Sequence, residues 1–523
     1  MEHTLYEWFA ASALEFGDRP ALEVGEERLT YRELRGLAER IAADLVTAHR
    51  GTPARVGLLA GRDVLTYAGY LAVQRLGATV VPLSPFAPAV RNAVIVRAAG
   101  LDLVLAGPTP AGPAAPSWPV PVVPLRRTAP PTARLRLPRR VDDTDALAYV
   151  LFTSGSTGTP KGVPIRHGNV CAYLAHVIAR YGLGPGCRVS QTFDLTFDLS
   201  VFDMFATWGS GATLVVPTRR DLMVPVRWVA DKKLTHWFSV PSLVSFARRM
   251  RTLRPGRMPA LRWSLFCGEP LTLQQAGAWA AAAPHSTLAN LYGPTELTIS
   301  CAEYTLPADA ARWPRPANGT VPIGSVHPGL AHLVLDARGR PADEGELVVR
   351  GAQRFPGYLD ADSDKGRFLS YDRPGEDATP YTGDGPLTAA HWYRTGDRVR
   401  REDGRLVHLG RTDQQIKLHG YRIELGEIEA ALREQPGVRD AVAVAVARPG
   451  DEIALEAVCT GTDLIPEAIR SALEARLPAY MVPRVTSLVE ELPLNVNGKI
   501  DRQAVTTALE GRRAARRPVT PRG

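Results

Sequence analysis

Between Thr153 and Gly162 the chain reads Thr153-Ser-Gly-Ser-Thr-Gly-Thr-Pro-Lys-Gly162, with hydroxyls, glycines and one lysine set directly behind the apolar run Ala146 to Phe152. Glycines let backbone N–H groups turn toward an anion, Ser and Thr hydroxyls add donors, and a lysine supplies positive charge. This is the chemistry of a loop that closes over phosphates. The GxxxxGK[ST] spacing of a Walker A loop is absent. A solvated Ser/Gly linker has similar composition, but a loop that leaves a strand-like run and ends in Pro-Lys-Gly reads as a phosphate loop. Further along, Asn290-Leu-Tyr-Gly-Pro-Thr-Glu296 holds an amide, an aromatic ring, a turn and a carboxylate. These suit an adenine edge, an adenine face and a hydrated Mg2+. Tyr393-Arg-Thr-Gly-Asp397 ends in a carboxylate after a tight turn, a fit to ribose hydroxyls, and Asn497-Gly-Lys499 sets one lysine on a turn near the C-terminus.

Alternating strand and helix patterns are what must position these groups. Leu29-Thr-Tyr-Arg-Glu-Leu34 opens a helical pattern that runs through Ala43, and the strand-like runs Arg55 to Ala60 and Ala78 to Pro82 flank a helix-like Val64 to Leu76. After the phosphate loop, Ala212 to Val216, Thr235 to Val240 and Arg262 to Phe266 read as short strands between helices. The alternation predicts an α/β fold with largely parallel sheets packed with helices. Gly107 to Arg140 is dense in Pro and Ala and reads as an irregular surface connection. From Leu330 to Arg350 short strands and Asp-rich turns predict a β-rich subdomain. The segment Gly410 to Glu429 reads as a charged hairpin followed by a helix, opening a small α+β domain. The expected layout is a large N-terminal core over 1–412, a small mobile C-terminal domain over 413–509, and a disordered basic tail over 510–523.

With 523 residues, 45% of them hydrophobic, the chain can bury a large core. A formal charge of +8 is spread along the sequence without an aromatic-interleaved basic stripe, so no nucleic-acid partner is expected. The five cysteines, Cys171, Cys187, Cys267, Cys301 and Cys459, are scattered and lack CxxC spacing, which argues against a disulfide framework or a structural zinc site. The N-terminus carries Glu2, Glu7 and Glu15 where a targeting segment would be basic, and no apolar span reaches membrane length. A cytoplasmic, unanchored protein is expected.

Taken together and in this order, the motifs resemble those of the adenylate-forming enzymes, and within them the amino-acid adenylation domains of nonribosomal peptide synthesis. The resemblance runs from Leu29-Thr-Tyr-Arg-Glu-Leu34 through Gly345-Glu-Leu347 and Leu477-Pro-Ala-Tyr-Met-Val-Pro483 to Asn497-Gly-Lys499. It implies a two-step reaction in which a carboxylate and ATP give an acyl-adenylate and pyrophosphate, and a thiol then takes the acyl group. By the same resemblance the phosphate loop is Thr153, Ser154, Gly155, Ser156, Thr157, Gly158 and Lys161, and Glu296 is the Mg2+ carboxylate. Nucleotide contacts fall on Gly268, Glu269, Asn290, Tyr292, Gly293, Thr295, Asp397 and Arg411. Asp413 is the hinge between domains, and Lys499, with Lys161 and Glu296, is catalytic. Two anions must meet in such a reaction, and cations with loop donors offset their repulsion.

The substrate is addressed by Thr192-Phe-Asp-Leu-Thr-Phe-Asp-Leu-Ser-Val-Phe-Asp-Met-Phe205, where Phe-Asp-Leu occurs twice and two registers are open. The continuation Ser200-Val201 selects Asp198, which the resemblance pairs with the α-ammonium of an amino acid. A helix N-cap or turn carboxylate is the plainer role for such a residue. The remaining pocket positions are Leu199, Phe202, Ser239, Leu265, Cys267, Leu291, Ile299 and Ser300, with no second charge among them. Burying an unpaired charge is expensive, so this pocket should reject acidic and basic side chains, and Phe202, Leu291 and Ile299 narrow it. A small neutral L-amino acid is expected, alanine first, with proline, serine, cysteine and glycine behind. A β-amino acid, an acyl- or aryl-CoA ligase activity, and a non-catalytic adenylate-binding protein are the alternatives. No Leu-Gly-Gly-x-Ser attachment motif follows Lys499, so the expected acceptor is a separate phosphopantetheinylated carrier protein.

Overall fold

The computed structural model describes residues 3–107, 118–127, 137–138, 143–155, 159–371, 377–418, 420–448, 452–494 and 500–514. They divide into two compact units. One comprises 1–85, 93–152 and 161–412; the other comprises 86–92, 153–160 and 413–523.

In the first unit, strands Val122–Pro124, Leu103–Ala106, Arg55–Leu59, Thr79–Leu83, Leu147–Thr153 and Lys161–Arg166 lie side by side in that order. Thr79–Leu83 is buried at every position, as expected of a parallel strand covered on both faces. A nine-stranded sheet carries, in order, Ser325–Val326, Ala302–Thr305, Thr287–Tyr292, Trp263–Phe266, His236–Ser239, Arg188–Ser190, Thr213–Val216, Pro20–Val24 and Glu27–Thr30. A third, antiparallel sheet is built on Leu330–Leu335, Glu344–Gly351 and Trp392–Glu402, with Arg405–Arg411 paired to the last of these. The β-rich character expected of Leu330 to Arg350 is present here.

Local sequence explains several boundaries. Thr30 caps the helix Tyr31–His49, accepting from the Glu33 N–H while the Glu33 carboxylate takes the Thr30 N–H at 2.8 Å, and Arg50 closes it in the left-handed region. Asp63 caps the helix Val64–Arg75 through the Thr66 N–H. The Pro- and Ala-rich stretch departs from its expected irregularity: Val122–Pro124 forms an edge strand parallel to Leu103–Ala106. Of the rest, 108–117, 128–136 and 139–142 lie outside the described residues.

In the second unit the hairpin Gln415–Leu418 and Tyr421–Glu424 runs into the helix Leu425–Arg433. A three-stranded sheet of Val438–Arg448, Glu452–Gly461 and Val485–Leu488 packs with that helix. The helix Arg502–Ala514 continues past Leu509, and the rest of the basic end, 515–523, lies outside the described residues. Among the described residues no helix is long and apolar enough to cross a membrane.

Candidate active site

Three parallel strands in register carry several of the residues expected to line the acyl pocket. Phe238 lies opposite Leu265 and Leu265 opposite Ala289, while Ser239, Phe266 and Asn290 form the next rung. The Cys267 N–H reaches the Ser239 carbonyl at 3.2 Å, so the pairing continues past the strand end. Phe202 meets Phe238 edge-on at 4.9 Å between centroids and Tyr181 at 6.0 Å, forming an aromatic wall. Leu199, Phe202, Leu265, Cys267, Leu291 and Ile299 are all buried. Both pocket hydroxyls are engaged within the protein. Ser239 Oγ accepts from the Trp237 indole at 2.9 Å and donates to the Val240 carbonyl, and Ser300 Oγ donates to Tyr173 Oη at 3.2 Å.

Asp198 opens the short helix Leu199–Val201, which runs into a π-helical turn over Phe202–Ala206, and its carboxylate makes no capping hydrogen bond. Only 8% of the residue is exposed. Its charge acts on the phenols of Tyr149 and Tyr173, which burial already pushes well above the ordinary tyrosine range. The capping role is therefore set aside by the geometry, and the buried carboxylate lies within electrostatic reach of Tyr149 and Tyr173. Opposite it in the sequence order, Thr298 and Ile299 have φ of 57° and 74°, a conformation that β-branched residues avoid. Gly293 allows this loop to close: a Cβ there would stand 2.6 Å from Ser300 Cα and 3.0 Å from Cys301 N.

Among the residues expected to contact the nucleotide, Asp397 is 1% exposed and gathers donors from Tyr292, Arg411 and His408. Tyr292 Oη donates to Oδ2 at 2.6 Å, and Arg411 Nη1 lies 3.0 Å and His408 Nε2 3.1 Å from Oδ1. Strand pairing places Arg411 directly across from Asp397, and the Gly396 N–H is held by Glu346 Oε1 at 3.0 Å. Burial, then the neighbouring Asp397 charge, raises the Tyr292 phenol far above its usual range. Asn290 donates its amide to the Val321 and Pro322 carbonyls. Glu269, after the left-handed Gly268, accepts the Ser242 N–H at the start of the helix Ser242–Arg249. Thr295 begins the 3-10 turn that carries Glu296.

Glu296 is 1% exposed and its Oε1 accepts from Tyr358 Oη at 2.6 Å. The ammonium of Lys161 lies 5.5 Å from the centre of the same Tyr358 ring, so one tyrosine links the phosphate-loop lysine to the carboxylate. The Glu296 carboxylate fits Mg2+, which keeps several waters and takes its other ligands from substrate phosphates.

In the second unit, Ser154 Oγ donates to the Arg422 carbonyl at 2.7 Å and accepts the Glu424 N–H at 3.1 Å. Arg91 pairs with Glu427 at 2.6 Å, both nearly buried, and burial raises the Glu427 carboxyl against the pull of Arg91. Asp413 turns its own backbone, with Oδ1 accepting the Gln415 N–H at 3.2 Å. Thr153 and Gly155 belong to this unit, whereas Ser156, Thr157, Gly158 and Lys499 lie outside the described residues.

Three functional neighbours escaped the sequence reading. His408 sits three positions before Arg411, Tyr358 follows the Pro356-Gly357 turn, and Gln353 contacts the Ile299 loop. Their only sequence signal is proximity to motifs already noted.

Residues 9–359 match the family described as AMP-binding enzyme, and residues 427–499 match the AMP-binding enzyme C-terminal domain. Phosphinothricin tripeptide synthetase PhsC of Streptomyces viridochromogenes is 35% identical over 98% of this chain and 46% of its own length. The L-proline--[L-prolyl-carrier protein] ligase of Streptomyces coelicolor is 32% identical over 97% of this chain and 96% of its own length. Among solved structures, the Vibrio cholerae adenylation domain AlmE, in complex with glycyl-adenosine-5'-phosphate, superposes with a TM-score of 0.81 at 26% identity, covering 98% of each chain. The chain belongs to the AMP-binding enzyme family, and its relatives are of the adenylation-domain kind. It spans 46% of PhsC and 6% of the synthetase CymA of Salinispora arenicola.

Proposed function

We propose that this chain activates a small neutral L-amino acid, alanine first, with ATP to the aminoacyl-adenylate and passes it to the phosphopantetheine thiol of a separate carrier protein. One observation carries the reading: Asp198 is buried, 8% exposed, and the other residues proposed to line the pocket are uncharged. Burying the α-ammonium of an amino acid would be costly without an opposite charge beside it, and the Asp198 carboxylate would supply that charge. Because Ser239 and Ser300 already direct their hydroxyl hydrogens to protein acceptors, these two hydroxyls can only accept from a bound side chain, which supports alanine ahead of serine. The S. coelicolor relative named for prolyl-carrier protein ligation, similar over nearly its full length, supports the acceptor.

In the first step a carboxylate oxygen of the amino acid attacks the α-phosphorus of ATP, a P–O bond forms there, and the bond to pyrophosphate breaks. Asp198 orients the amine, Tyr292 presents its ring to adenine, and Asp397, set by Arg411 and His408, faces the ribose. Lys161 and the loop from Thr153 draw in the phosphates, and Lys499 brings a cation to the reacting oxygens. Glu296 would hold Mg2+ through its carboxylate, and the ion would supply charge neutralisation on the phosphates. In the second step the carrier thiolate attacks the acyl carbon and AMP leaves. The unit boundary between Thr412 and Asp413 supports Asp413 as the point about which the units alternate between steps.

The test is ATP–pyrophosphate exchange across the proteinogenic amino acids, several β-amino acids and benzoate-type acids. Exchange with alanine or another small neutral amino acid is expected. Exchange confined to β-amino, aryl or aliphatic acids would overturn the substrate class, and silence with every acid would overturn the activity.

A further inference from the structure

Gln353 belongs to none of the sequence motifs discussed above, yet its buried side chain, 3% exposed, is wired to the loop that lines the acyl pocket. Its amide nitrogen lies 3.1 Å from the Leu297 carbonyl, 3.3 Å from that of Thr298 and 2.7 Å from that of Ser300. Two N–H bonds are thus shared among three carbonyls on consecutive turns of one segment. In return, Thr298 Oγ1 donates to the Gln353 carbonyl at 2.5 Å, and the Phe355 N–H reaches the Glu296 carbonyl at 2.9 Å. The segment from Glu296 to Ser300 is therefore sutured at both ends to Gln353–Phe355.

That segment needs holding. Thr298 and Ile299 both sit at positive φ, and two β-branched residues in succession there persist only when surrounding contacts over-determine them. The far side of the amide fixes its orientation. Gln353 Oε1 lies 3.4 Å from His327 Nδ1, and turning the amide over would set its oxygen against three carbonyl oxygens. Burial depresses His327 to about 4, so the ring is neutral at neutral pH and can donate from Nδ1. His327 stacks on Tyr173, whose hydroxyl accepts from Ser300, which closes a circuit around the pocket residue Ser300.

We propose that Gln353 is a positioning residue for substrate selection: by clamping the Leu297–Ser300 backbone it fixes where Ile299 and Ser300 stand in the acyl pocket. The proposal rests on the amino-acid-activating role for its kinetic readout and on the geometry alone for its second readout. Gln353→Met keeps length and apolar bulk but removes both donors. Leu297, Thr298 and Cys301 amides should then exchange hydrogen at least about tenfold faster, an effect local to this loop. In ATP–pyrophosphate exchange, the KM for alanine should rise about five- to tenfold, the equivalent of roughly one net hydrogen bond, while the KM for ATP stays within about twofold. Preference for alanine over 2-aminobutyrate, one methylene longer, should flatten.

Unchanged loop exchange in folded Gln353→Met overturns the proposal whether or not the wild type shows any activity. A parallel rise in both KM values, with selectivity intact, also overturns it, because that pattern marks a general structural role. If Gln353→Met does not fold, Gln353→Asn decides. It keeps an amide but draws its donors back by one methylene from the three carbonyls, and normal loop exchange with normal alanine selectivity there overturns the proposal. Silent wild-type enzyme with faster loop exchange in the variant would remove the amino-acid role and leave the clamp standing.

Discussion

Removing one hydroxyl from Tyr292 tests how the nucleotide side is held together. Tyr292→Phe keeps the ring, and so the flat face proposed to meet adenine, but deletes the 2.6 Å donor to Asp397 Oδ2. Asp397 is 1% exposed and cannot recruit bulk water easily. It keeps Arg411 at 3.0 Å and His408 at 3.1 Å, both on Oδ1, so the loss falls on one oxygen of the carboxylate. A hydrogen bond to a charged group contributes about 1.5–3 kcal/mol. If the loss is felt wholly in nucleotide binding it corresponds to about 10- to 150-fold in affinity, at 1.4 kcal/mol per decade. If it is felt in the free protein it lowers Tm, by about 2–4 °C or less per kcal/mol for a unit this large. The assay varies ATP at saturating amino acid in pyrophosphate exchange, beside a thermal melt. A variant whose ATP KM stays within about twofold of wild type and whose Tm is unmoved would refute the idea that this tyrosine sets the carboxylate.

Gly293→Ala should be poorly tolerated, since its Cβ would meet Ser300 Cα at 2.6 Å and Cys301 N at 3.0 Å; overpacking against backbone costs about 1–3 kcal/mol, read as a lower Tm with impaired exchange. Asp198→Asn keeps the shape and removes the charge, so amino-acid-dependent exchange should fall by about a hundredfold or more with ATP KM unchanged, and the preference for alanine over propionate should collapse. His236 gives a pH prediction. Its ring contacts the Tyr181 carbonyl and the Thr235 hydroxyl, each at 2.9 Å, and burial lowers it to about 4. Because the unfolded chain binds this proton near pH 6.5 and the folded one does not, the stabilisation is complete above about pH 6.5 and is lost as pH falls toward 4, up to about 3 kcal/mol in all. Comparing Tm at about pH 7 and about pH 4.5, His236→Gln should lose less than wild type.

Features that depend on neighbours in sequence were legible from the chain. The Leu29 to Leu34 motif opens the helix Tyr31–His49, capped by Thr30 and Glu33, and the hairpin and helix after Gly410 follow from local charge and turn patterns. What was illegible depends on chain crossings. Val122–Pro124 becomes a strand because Leu103–Ala106 offers an open edge, despite its Pro-rich surroundings. Asp198 could be named from its motif, but whether it capped a helix was decided only by the absence of a capping bond in the fold. Tyr358 joins Glu296 across 62 residues, and Gln353 reaches Ser300 across 53. No periodicity or spacing encodes such a juxtaposition. The same holds for the hydroxyls of Ser239 and Ser300, whose hydrogens the fold directs to the Val240 carbonyl and to Tyr173.

Trapping the adenylate tests the central claim most directly. Enzyme, ATP, Mg2+ and alanine would be incubated with hydroxylamine, and alanine hydroxamate and AMP measured for the wild type and for Lys499→Ala. The account predicts stoichiometric hydroxamate and AMP from the wild type that depend on both alanine and ATP, and neither product from the variant. Equal hydroxamate from both proteins would contradict the role given to Lys499, and none from the wild type with any small neutral amino acid would contradict the account itself.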